Sequence, residues 1–130
     1  MAQGTVLLVE EDKSARELMS QILKQQGYDV VEAESPEKGM EAMRPRKGQC
    51  TIDLVLCNRA SLSQNDADPI LQFLGQRPPV PVVLLANHPD LHHATQMFRQ
   101  GVMDYLVKPV QANVLCEVVR RAVKLRGSDS

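Results

Sequence analysis

Four short apolar runs in this chain each end in polar residues that could do chemistry. Thr5 to Val9 leads into Glu10, Glu11 and Asp12; Ile52 to Cys57 leads into Asn58 and Arg59; Val82 to Ala86 leads into Asn87; and Tyr105 to Val107 leads into Lys108-Pro109. Carboxylates grouped with one lysine suit a hard cation and an anionic oxygen group, because carboxylate oxygens ligate the first and the ammonium neutralises the second. Other constellations are poorer. His88 and His92 stand four apart, but Pro89 and Asp90 between them mark a helix start, so with His93 they read as capping or solvated residues. Cys50, Cys57 and Cys116 are odd in number and unpaired in spacing, which points away from a disulfide framework or a zinc site. Cys57 falls inside an apolar run and reads as a small core residue. The turn after the first run is acidic and lacks the glycines that would cradle a cofactor's phosphates, against a phosphate-binding cofactor enzyme.

The elements that must position these residues alternate in hydrophobic period. The runs ending at Val9, Cys57 and Ala86 are short, continuous and partly β-branched, as strands buried on both faces are. Tyr28 to Ala33 and Tyr105 to Val107 supply two more. Between them, apolar residues recur at helical spacing: Ala15, Leu18, Met19, Ile22 and Leu23 up to a stop at Gly27; a helix capped by Ser35-Pro36-Glu37 and ending before Pro45; a short helix opened by Asp68-Pro69; one capped by Asn87 or Asp90 and ending at Gly101; and the stripe Val110, Val114, Leu115, Val118, Val119, Ala122 and Val123. Five strands each followed by a helix predict an α/β fold, a parallel sheet with helices on both faces and right-handed crossovers. In such a sheet ligands gather outside the carboxyl ends of the strands, where the polar residues above stand.

Composition narrows the function. The 130 residues are 43% hydrophobic and 24% charged with a net charge of −1, a globular balance without the electrostatic footprint of a nucleic-acid binder. Two tyrosines and two phenylalanines leave no stacking platform for single strands. No apolar run approaches the length of a membrane span, and the opening Met-Ala-Gln-Gly has no secretory pattern, so a reduced, cytoplasmic setting is expected. One domain over 1–126 is expected, with 127–130 a polar tail or the start of a linker.

The residues at the strand ends also carry a family likeness. "VLLVEED", "DLVLCN", "VPVVLLAN" and "GVMDYLVKP", in that order, make the chain resemble the receiver domain of two-component response regulators over nearly its whole length. The resemblance implies a flavodoxin-like (CheY-like), doubly wound sheet of five parallel strands in the order 2-1-3-4-5. It implies Mg²⁺-dependent transfer of a phosphoryl group from a histidine kinase to an aspartate ending the third strand. It places Glu10 and Glu11 at the metal-binding acidic pair, Lys108 at the phosphate-contacting lysine, and Tyr105 at the switching aromatic. It further implies that Lys108-Pro109 is cis, and that the face of the fourth helix, fifth strand and fifth helix pairs two receivers, with Arg99, Asp104 and Arg120 as contributors. On the last helix, Arg120, Arg121, Lys124 and Arg126 otherwise read as a solvated basic face.

The departures from the family are as informative as the matches. Asn58 stands where the acceptor aspartate belongs, and a carboxamide has no anionic oxygen to attack phosphorus. Ala86 replaces the phosphate-binding hydroxyl. Ser61-Leu62 replaces the usual Met-Pro pair, and the acidic pair is Glu-Glu. Two glutamates and one lysine leave this site at −1, where three carboxylates and a lysine make −2, so Mg²⁺ binding is expected to be weak and no cofactor is required. Arg59 is positioned to fold onto Glu10 or Glu11 in place of a cation. The chain thus reads as a degenerate receiver, not an enzyme, acting through protein contacts with a histidine kinase or an output domain and not through nucleic acid or membrane. The alternative is an ordinary Mg²⁺-dependent aspartyl-phosphate receiver carrying an engineered Asp-to-Asn change at position 58.

Overall fold

A computed structural model describes residues 3–44, 51–58, 69–76 and 79–128. The apolar runs form β1 (Thr5–Val9), β2 (Asp29–Ala33), β3 (Leu54–Asn58), β4 (Val82–Ala86) and β5 (Asp104–Val107). They alternate with α1 (Lys13–Gln25), α2 (Pro36–Met43), α3 (Pro69–Leu74), α4 (Leu91–Gln100) and α5 (Ala112–Ser128). All four strand pairings are parallel, in the order β2-β1-β3-β4-β5. The sequence expectation of fold and strand order is met.

Alternation along the strands divides the core in two, because successive side chains point to opposite faces. Val6, Leu8, Leu54, Leu56, Val83 and Leu85 face α1 and α5, where Leu23, Leu115, Val119 and Ala122 complete the packing. Leu7, Val9, Val55, Cys57, Val82 and Leu84 face the opposite side, against Ile70 and Phe73 of α3 and Met97 of α4. Covered on both faces, β1, β3 and β4 are buried throughout, which is why they read as continuous apolar runs and not as alternating ones. Gly39 lets α2 sit close to the sheet: a Cβ there would lie 2.9 Å from Cγ2 of Val9.

Helix ends follow local chemistry. The side chains of Asp12, Ser35 and Asp90 accept the backbone N–H groups of Ala15, Lys38 and His93, so the cap of α4 is Asp90 and not Asn87. Gly101 closes α4 at φ +112°, a backbone region that other residues rarely enter. Boundaries differ slightly from expectation. Strand β3 runs through Asn58, which pairs with Leu85, and α5 continues to Ser128, past the expected start of the tail at 127. A helix end propagates at little cost, since each added residue brings its own hydrogen bond.

Candidate functional site

The carboxyl ends of β1, β3, β4 and β5 meet at one edge of the sheet, and the register of the strands decides which residues face each other there. Glu10, one residue beyond β1, is tied by its N–H to the Ala33 carbonyl at 3.0 Å. Its side chain is fully buried. One carboxylate oxygen, Oε1, pairs with the Lys108 ammonium. The other, Oε2, accepts the Asn58 side-chain amide and, at 3.3 Å, the Asp12 backbone N–H. Residues 10, 58 and 108 are thus brought together, with Glu10 at the centre of the arrangement and both of its oxygens occupied.

Lys108 reaches inward because its backbone is held: its N–H bonds the Ala86 carbonyl at 2.7 Å, and the Lys108-Pro109 peptide is cis, as the resemblance implies. The ammonium sits on a side chain only 21% exposed, so its attraction for Glu10 is screened far less than that of a surface pair. Glu11 points into solvent and takes no part in this network, while Asp12 serves as the α1 cap. Arg59 lies outside the described residues, as do Ser61 and Leu62. Among the described residues, the cation that compensates Glu10 is Lys108.

Arg16 belongs to this site and sequence reasoning missed it. From the second turn of α1 its Nη1 donates to the Glu10 carbonyl at 2.8 Å, while its Nε lies 3.5 Å from Glu32 on β2. It therefore braces the loop that carries Glu10 from two sides. The spacing of the sequence held no signal for it, since the bond joins a helix to the strand-end loop before it.

Ala86 is buried at the end of β4, where its methyl group offers no hydrogen-bond donor. Tyr105, on the neighbouring strand, is half-buried, with its hydroxyl 3.3 Å from Nδ1 of His93 and the two rings 5.8 Å apart. His93, expected as a solvated or capping residue, instead joins α4 to the edge strand. On the outer face, Arg99 is exposed on α4. Arg120 does not approach Asp104; it binds Glu117 one turn earlier and faces α1, whereas Arg121 lies 4.0 Å from Asp104. Helical geometry makes the difference, because adjacent residues on α5 diverge by about 100°.

Comparison with known proteins places this arrangement in a family. Residues 6–120 match the model of the response regulator receiver domain. The chain is 32% identical over 117 residues to the response regulator protein FleR of Pseudomonas aeruginosa, a match covering 89% of this chain and 24% of that protein. It is 27% identical over 123 residues to the DNA-binding transcriptional regulator NtrC of Escherichia coli, covering 95% and 25%. A receiver domain protein from Clostridium thermocellum superposes with a TM-score of 0.86 at 21% identity over 98% of this chain and 99% of that one, a likeness of fold. The chain belongs to the response regulator receiver domain family of two-component signalling. It spans about a quarter of the length of these curated relatives. Among the described residues, no helix is long and apolar enough to cross a membrane.

Proposed function

We propose that this receiver domain relays signals through protein contacts and does not accept phosphate at position 58. The observation that carries the reading is the internal pairing of Glu10 with both Lys108 and Asn58. A receiver's site generally holds Mg²⁺ between carboxylates. Here the Glu10 oxygens are engaged by an ammonium, an amide and a backbone N–H, and the exposed Glu11 stands apart. This donor set does not fit the ion as arranged, since Mg²⁺ would have to displace Lys108. Lys108 does the neutralising work of a cation from within the chain.

The nucleophile is missing as well. The Asn58 amide donates to Glu10, and its nitrogen lone pair is delocalised into the carbonyl, so no anionic oxygen is available to attack phosphorus. With Ala86 beside it, the site also lacks a hydroxyl to hold a transferred phosphoryl group. A second departure on a separate strand favours a natural loss of phosphotransfer over a single engineered exchange at Asn58. The domain itself is therefore read as non-enzymatic, with a histidine kinase or an output domain as its protein partner. Pairing of two copies through α4, β5 and α5 agrees with the exposed Leu91, Phe98, Val107 and Val114 on those elements. Arg99 and the Asp104–Arg121 pair supply polar contacts there, in place of Arg120.

Incubation with acetyl phosphate and Mg²⁺, followed by intact mass measurement, tests the proposal. The expected result is an unmodified mass. A labile phosphoryl adduct on the Asn58 segment would overturn it.

A further inference from the structure

A groove of about 670 Å³ runs between α1 and α5, a size suited to a small ligand. Ile22, Ala112 and Cys116 give it an apolar floor, and Tyr28, Glu117 and Arg120 line its polar side. Tyr28 is only 5% exposed, and its hydroxyl makes no hydrogen bond among the described residues. The ring is buried while the hydroxyl opens onto the groove, where it can donate to a group that enters. Burial, reinforced by Cys116 and opposed by Arg120, raises the Tyr28 phenol above its ordinary range and keeps it a proton donor at neutral pH. Arg120 gives two N–H bonds to Glu117, at 3.3 and 2.7 Å, which leaves the rest of its donor fork for a ligand.

We propose that this groove binds a small organic carboxylate, its anionic end held by the Tyr28 hydroxyl and the Arg120 guanidinium and its apolar body lying on Ile22, Ala112 and Cys116. One lining cation, already shared with Glu117, suits a single negative charge better than a doubly charged phosphate. The inference is independent of the phosphotransfer reading, for the groove shares no residue with the Glu10 network.

Titration of the whole chain with sodium benzoate, followed through backbone amide chemical shifts, tests it, with benzamide as the neutral analogue of the same shape. Saturable shifts centred on Tyr28 and on residues 112–120 are expected, with benzamide about tenfold weaker, as the loss of a charge-assisted contact implies. Tyr28→Phe and Arg120→Gln should each weaken benzoate about three- to tenfold, while Glu117→Gln should tighten it. Shifts that stay linear in benzoate, equal binding of benzamide, or unchanged affinity in both weakening variants would each overturn the proposal.

Discussion

Replacing Lys108 with methionine tests the idea that the chain supplies its own cation. Methionine keeps much of the lysine stem but leaves Glu10, which is fully buried, with an uncompensated charge. Removing one partner of a fully buried pair costs about 3–5 kcal/mol. Two features lower the figure here: the Lys108 side chain is 21% exposed, and the Asn58 amide and Asp12 N–H remain on the second oxygen. A loss of about 2–3 kcal/mol follows, measurable as a lower urea midpoint at unchanged slope. Adding Glu10→Gln to Lys108→Met removes the stranded charge and should restore more than half of the loss, as a double-mutant cycle would show. Magnesium provides a second readout. With Lys108 gone, Glu10 is open to a cation, so millimolar Mg²⁺ should raise the midpoint of the Lys108→Met variant and leave the parent unmoved. A loss below about 0.5 kcal/mol, within the range of an ordinary surface change, would refute the reasoning. So would equal Mg²⁺ stabilisation of parent and variant.

Other consequences are simpler to check. Gly101→Ala forces a side chain into φ +112° and should cost about 1–2 kcal/mol in urea unfolding. Asp12→Ala removes the α1 cap and should cost about 1 kcal/mol, with a matching loss of amide-exchange protection confined to the first turn. Burial holds the Cys116 thiol above its ordinary 9.0 and the Tyr28 phenol above 10.0, the latter reinforced by Cys116 and opposed by Arg120. Above pH 9 the unfolded chain therefore loses protons that the folded one keeps, and stability should fall as pH rises through that range. A Cys116→Ala, Tyr28→Phe double variant should flatten the fall. At the acid end, hydrogen bonding to Lys38 lowers Glu34 and hydrogen bonding to Arg120 lowers Glu117, so each contributes stability above its ordinary 4.5 that is lost as pH drops through its lowered value. Replacing both acids with glutamine should shrink that loss.

Much of the molecule is legible in the sequence. The β-branched runs at Val6, Val55 and Val82 announced strands buried on both faces, and Gly27, Ser35 and Gly101 announced helix ends, because backbone preference and burial period are local properties. That position 58 carries an amide and not a carboxylate was equally plain, since Asn58 is the same residue in any fold. Tertiary structure alone decided which groups meet. Glu10 and Lys108 lie 98 positions apart, and only the parallel register of β1, β3, β4 and β5 sets the ammonium against the carboxylate. The same holds for Arg16 on the Glu10 carbonyl, for His93 on Tyr105, and for the division of Arg120 and Arg121 between two faces of α5. Charge attraction falls with distance through space and takes no account of order along the chain, so residue types could name the participants while the packed sheet chose the pairs.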